Sequence, residues 1–491
     1  MKFRKTILAG FVALMLCVTA VHAQDQQAQR DNPQAGSPIS PLPPTSAGAS
    51  GGFGKAPVPA ARGVSPAADP QPYDPAQVEP DTNTLSGAEL FGLGSLEHSR
   101  NIFDPSLYFS GLGQTGVAGS AGQTSVQPTA LFGGSLNFNR IWSRYQFSAI
   151  YSGGDSISGG TQTGGAFHDL SVTQEIEWER WRLRLRDDFV ASPGASFTGS
   201  GMGGPGLLGQ FSSALPGGLP AVAQGIAPSE TIQSGQAMRY EDMILGEVEY
   251  SFSRRSAFTF SGSYGLLHFP DAGYIDSHNI NGRVGYDFQL DPRNSIAVLA
   301  SYSKIDYAGT TNSTVNYLAS LAYGRKIAGR LSFQATGGPS EIRSTGTGNG
   351  NFQSLTWAIN SALRYELRRT GYSLSYSHGL TGGSGVLFGA NSDTMSASVH
   401  RQFTRFWAGS ANGGYAFNKS LAPTGVATFH FTNWFIGGSI GRQLGRHAHL
   451  GLNYGLQQQN SPAVCPVANC GSTGLQQTFG MTVNWHLRPA G

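Results

Sequence analysis

Two rows of opposite charge lie in residues 167–193, FHDLSVTQEIEWERWRLRLRDDFVASP. Glu175, Glu177 and Glu179 recur at every second position, and Arg182, Arg184 and Arg186 follow at the same spacing. A period of two puts each row on one face of an extended strand, whereas a helix would scatter it. With Arg180 and Trp181 at the tip of a two-residue turn, a hairpin pairs Glu179 with Arg182, Glu177 with Arg184 and Glu175 with Arg186. Its other face then pairs Trp178 with Leu183, Ile176 with Leu185 and Val172 with Phe189. The chemistry on offer is ionic. Opposed charge rows on a wall set a transverse field that sorts solutes, or they neutralise one another and stiffen the strand pair. Mutual neutralisation is the favoured role of this ladder.

No other group assembles a reaction centre. The G-x-G-x-x-G match at residues 201–206 contains Pro205 and opens no helix, and the G-x-S-x-G match at residues 437–441 lies within a strand pattern. His268, His378, His400, His430, His447 and His449 fall in different segments without ligand spacing. The expectation is therefore no enzyme, no metal and no cofactor. A net charge of +3 without a basic run interleaved with aromatics also excludes a nucleic-acid partner.

The elements that must position the charge rows are strands. Charged residues make up 12% of the chain, about half the usual globular share, and 68 glycines accompany 28 Phe and 18 Tyr. From residue 105 onward, alternating segments of ten to fourteen residues are joined in turn by tight turns and by longer Gly/Ser/Asn-rich loops. Ile280, Val284, Tyr286 and Phe288 share one face opposite Asn281, Arg283, Asp287 and Gln289, and residues 355–366 and 476–487 repeat the pattern. One face stays polar throughout, which suits a wide barrel with a wet interior. The count is about eighteen strands, with sixteen as the alternative, in an all-β, antiparallel, up-and-down transmembrane barrel.

Residues 1–23 read as a signal peptide: Lys2, Arg4 and Lys5, an apolar run, then Val21-His22-Ala23. Residues 24–104 are rich in Pro, Ala, Gly and Ser, with few large apolar side chains, and are expected to form a disordered periplasmic linker. Residues 105–491 are the barrel. Export makes the compartment oxidising, so Cys465 and Cys470 are expected to close a small disulfide loop.

This architecture, with aromatics such as Trp142, Tyr145, Trp178, Trp181 and Trp485 near the tight turns, resembles the porin-like outer-membrane β-barrels of diderm bacteria. Barrels of that kind commonly finish on an aromatic residue, and this chain instead ends WHLRPAG. The resemblance implies the cell outer membrane as location, with outer-membrane lipid and the barrel assembly machinery as partners. It also makes residues 194–241, the third outward loop, the candidate constriction, with Phe211, Leu215 and Ile226 as its apolar contacts; an outward flap over the mouth is the equal alternative. The implied function is a passive aqueous channel for small solutes. Exopolysaccharide export and a plugged surface or anchoring barrel are the alternatives, the linker then meeting an export component or peptidoglycan. The oligomeric state is not legible. The protein is expected to fractionate with outer membranes and to migrate faster on gels before heating than after; a mainly soluble periplasmic species would refute this reading.

Overall fold

The computed structural model describes residues 102–115, 126–159, 165–193, 232, 238–328, 330–346, 351–421, 428–445, 447–460 and 474–487. The signal peptide, the linker up to residue 101, Phe211, Leu215, Ile226, Cys465 and Cys470 lie outside them. The described residues form eighteen strands: β1 (Ile102–Thr115), β2 (Gln127–Ile141), β3 (Tyr145–Ser158), β4 (Ala166–Glu177), β5 (Trp181–Pro193), β6 (Met238–Ser253), β7 (Ser256–His268), β8 (Ser277–Asp291), β9 (Asn294–Tyr307), β10 (Ser313–Ala328), β11 (Leu331–Thr345), β12 (Phe352–Leu367), β13 (Thr370–Thr381), β14 (Ala390–Gln402), β15 (Trp407–Ser420), β16 (His430–Leu444), β17 (Ala448–Asn460) and β18 (Gly474–His486). The strand number is thus eighteen, not sixteen. The first strand starts at Ile102, three residues before the expected boundary.

Each strand pairs antiparallel with its sequence neighbours, and β1 also pairs with β18 from Ser106↔His486 to Thr115↔Gln477. That last seam closes the sheet and removes both free edges. Short turns join the even strands to the odd strands that follow them, as at residues 254–255 and 292–293, while longer connections join odd to even at the other end. In outer-membrane barrels short turns of this kind lie on the periplasmic side and longer loops on the other.

The register corrects the expected hairpin. Trp178 N–H donates to the Trp181 carbonyl at 2.8 Å, which places Glu179 and Arg180 at the tip. The pairs are Glu177↔Arg182, Glu175↔Arg184 and Thr173↔Arg186, each slid by two residues from expectation. A slip of two exchanges partners but leaves every side chain on its expected face. The next hairpin shows the same slip, since Tyr250 stands opposite Phe258 and a bulge between Ser251 and Ser253 absorbs the turn.

Alternation divides each strand between two environments. On β10, Leu321 points outward and is 67% exposed, while Thr314, Ser320 and Ala322 point inward and are buried. Leu355 and Trp357 on β12, Ile436 on β16 and Met481 on β18 likewise stand on the outer surface. An apolar outer belt around a polar interior is stable only in lipid, where burial of that belt is favourable. Leu321→Arg, near the middle of β10, is expected to cost about 2–4 kcal/mol at the bilayer midplane. Inward Ser375→Arg is expected to cost well under half of that. Denaturant titration of the folded barrel in lipid checks the pair; equal losses would mean that inside and outside are reversed.

Candidate functional site: the inner wall

The register builds the charged part of the wall from three strands. Arg182 stands between Glu177 on β4 and Glu249 on β6, and Arg184 stands between Glu175 on β4 and Glu247 on β6. Each guanidinium therefore meets a carboxylate on both sides. Arg182 Nε lies 2.9 Å from Glu177 Oε1 and its Nη1 3.3 Å from Glu249 Oε2. Arg184 Nη1 lies 3.0 Å from Glu247 Oε1 and its Nε 3.4 Å from Glu175 Oε2. Burial differs sharply: the Arg184 side chain is 1% exposed and that of Arg182 31%. Above these rows Arg186 turns to Asp188 on its own strand, Nε to Oδ2 at 2.7 Å. On β7 and β8, Thr259 Oγ1 donates to Asp287 Oδ2 at 2.8 Å, and Arg283 extends the charged wall.

Five of the six expected ladder residues are brought together. Glu179 stands apart, exposed in the turn. The ladder's third strand was not expected: Glu247 and Glu249 complete it, and their signal was the same period-two spacing in GEVEY. Across β4 to β8 the inward carboxylates, among them Glu175, Glu247, Glu249 and Asp287, outnumber the guanidiniums.

The facing wall is mostly hydroxyl and amide. Inward hydroxyls pair across strands: Ser373 with Ser398 at 2.6 Å, Ser410 with Ser439 at 2.8 Å and Ser110 with Thr482 at 2.7 Å. Gln457 Nε2 donates to Gln476 Oε1 at 2.6 Å in the same band. Ser373, Ser398 and Ser410 are exposed although they point inward, and so is Arg364, whose Nε lies 2.7 Å from Glu366 Oε1. Solvent therefore reaches the interior along β12 to β15.

At the long-loop end a second apolar assembly sits inside the barrel. Residues 382–389, between β13 and β14, turn through left-handed backbone at Gly383, Ser384, Gly385 and Gly389. A Cβ on Gly385 would stand 2.2 Å from the Phe269 ring, so this close approach needs glycine. The segment reaches other parts of the wall: Ile275 N–H donates to the Gly385 carbonyl at 2.8 Å, and the Phe388 ring meets Tyr307 edge-on at 5.4 Å. Val386 and Leu387 are buried with Ala390 and inward-facing Phe431. Ile232, from the long connection between β5 and β6, completes that cluster, and its N–H donates to Ser384 Oγ at 3.3 Å. The β5–β6 and β13–β14 connections lie eight strands apart around the eighteen. Ile232 thus stands against the inner face of the wall almost opposite its own strands.

An apolar exterior, a closed backbone and a polar, solvent-reached interior decide the class. The chain is a closed eighteen-stranded transmembrane β-barrel. No family model matches its sequence, and no curated protein matches it. Among solved structures it is similar to Pseudomonas aeruginosa OccK2 (OpdF) in complex with glucuronate, at 9% identity and TM-score 0.40, covering 78% of this chain and 98% of that one. OpdK of Pseudomonas aeruginosa with vanillate matches at 10% identity and TM-score 0.39, over 78% and 98%. A BenF-like porin from Pseudomonas fluorescens Pf-5 matches at 9% and 0.41, over 79% and 98%.

The two arginines make a direct test of the ladder's role in this barrel. Arg184→Ala would remove the guanidinium shared by two buried carboxylates, Glu247 at 3.0 Å and Glu175 at 3.4 Å, leaving Glu175 with Arg182 at 3.3 Å, at a cost on the order of 3 kcal/mol. Arg182→Ala removes a partly solvated guanidinium from exposed Glu177 and from buried Glu249 and Glu175, and is expected to cost less, about 1–2 kcal/mol. Unfolding of both variants in detergent micelles measures the contrast, and equal effects would remove the structural role assigned to Arg184.

Proposed function

We propose that the barrel is a passive channel for small, polar, uncharged or zwitterionic solutes, with a modest preference for cations over anions. The observation that carries this reading is the division of the interior into a charged wall and a mostly hydroxyl and amide wall open to solvent. Eighteen strands enclose an aqueous interior in barrels of this size. The ladder's charges are spent largely on one another, which leaves a weak field across the lumen, and the surplus of carboxylates favours cations. That surplus disfavours a strongly anionic polymer, which argues against polysaccharide export. Outer-membrane lipid and the barrel assembly machinery are the partners such a channel requires.

Within this reading the β13–β14 connection and Ile232 narrow the lumen. Ile232 on the inner wall supports an inward course for the long β5–β6 connection over an outward flap. Deleting residues 202–236 removes no strand, so the barrel is expected to assemble and its single-channel conductance in planar bilayers to rise at least twofold. In a potassium chloride gradient the reversal potential is expected to show cation preference, and liposome swelling should be faster with neutral sugars than with anionic ones of the same size. Absence of conductance from both intact and shortened protein would exclude the channel.

A further inference from the structure

The connections at the two rims of the barrel differ in basic residues. None of the nine longer connections, residues 116–126, 159–165, 194–237, 269–276, 308–312, 346–351, 382–389, 421–429 and 461–473, contains a Lys or Arg. At the opposite rim every short turn has an exposed arginine in it or close beside it, from Arg144 at the first to Arg442 at the last. Acids there are few among the described residues. Glu179 is exposed at the tip beside Arg180, Glu177 is bound to Arg182, and Asp291 is bound within its own turn to the Arg293 N–H at 2.7 Å and Asn294 Nδ2 at 2.7 Å.

Several of these arginines are held in one way. The guanidinium of Arg140 lies 4.9 Å from the centre of the Trp142 ring, that of Arg442 5.4 Å from Trp407, that of Arg401 5.8 Å from Phe403 and that of Arg405 5.8 Å from Phe406. Trp142, Phe403 and Phe406 are exposed at the edge of the apolar belt, the level at which a bilayer changes from hydrocarbon to headgroup. A guanidinium lying on a ring keeps its N–H edge free, and that planar fork matches two phosphate oxygens.

We infer that the short-turn rim is a binding surface for anionic phospholipid headgroups of the leaflet it faces. The arginines on aromatic rings grip the phosphates, and the remaining rim arginines add a field that concentrates anionic lipid around the barrel. Toward the loop rim Arg343 also lies over a ring, 5.5 Å from Tyr317, but its guanidinium is taken by Glu341 at 2.6 Å. This assignment is independent of what passes through the lumen. It predicts a shell of lipid that is asymmetric across the membrane and sensitive to salt.

The full-length protein in mild detergent, doped with equal phosphatidylglycerol and phosphatidylcholine, provides the test, with retained lipid counted by native mass spectrometry. Wild type is expected to retain phosphatidylglycerol several-fold over phosphatidylcholine, and 0.5 M salt in the loading step to abolish the preference, on the order of the screening expected there. The combined variant Arg140→Gln, Arg401→Gln, Arg405→Gln and Arg442→Gln should lose most of it, while Lys304→Gln with Lys419→Gln, on outward positions toward the loop rim, should not. Heat-modifiable gel migration establishes that each variant is folded, and the four single variants, each with partial loss, serve if the combination does not assemble. Equal retention by wild type and the four-arginine variant, or equal loss in the lysine control, would overturn the proposal. So would a drop in thermal stability of the four-arginine variant that is the same in neutral and anionic lipid. That result would assign the arginines to carboxylates of this chain, of which residues 63–99 hold six with no Lys or Arg among them.

Discussion

Hydrocarbon offers a backbone amide no hydrogen-bond partner, and each unsatisfied group there costs several kcal/mol. A chain that crosses the membrane as strands must therefore pair every strand on both sides. Here the obligation falls on the seam between β1 and β18, where residues more than 360 apart in sequence meet in register from Ser106↔His486 to Thr115↔Gln477. Ser110 and Thr482 share a buried hydroxyl contact at that seam. Without it two edges would face lipid unpaired. The wet interior and the apolar exterior both presuppose this closure.

Closure also dictates where charge can reside. Period-two alternation sends each side chain either to lipid or to the lumen, and the ladder of β4, β5 and β6 occupies lumen positions without exception. Placing Glu–Arg–Glu across three adjacent strands compensates each guanidinium twice, which offsets the desolvation of a side chain as buried as that of Arg184. The same alternation puts Arg140, Arg401 and Arg442 on the outer surface at the short-turn end, against aromatic rings rather than carboxylates.

The inner apolar cluster answers a different constraint. Loops at a barrel mouth have no sheet to hold them, and residues 382–389 obtain their order from left-handed glycines and from burial of Val386 and Leu387 against Phe431 and Ile232. The sequence GGSGVLFG is unusual for an exposed loop, with a small apolar run inside a glycine frame. Its meaning becomes visible only once β7, β9, β14 and β16 stand around it.

Fold class, a strand count of about eighteen and the facing of the side chains named from the pattern followed from the sequence, because alternation and turn chemistry are local and β-strands express them directly. Glu175, Glu177, Arg182, Arg184 and Arg186 were placed on one wall for the same reason. Register was not legible. The slip from Glu177 opposite Arg184 to Glu177 opposite Arg182 preserves every facing, so the hydrophobic pattern cannot distinguish the two, and the turn at Trp178 to Trp181 had to decide. Nor could the sequence show Glu247 and Glu249 completing the ladder, or Ile232 meeting Ser384. Those contacts join residues 63 to 152 positions apart. They exist only because the closed sheet brings β6 beside β5 and sets the β13–β14 connection across from β5, a geometry that arises from global pairing and leaves no local trace.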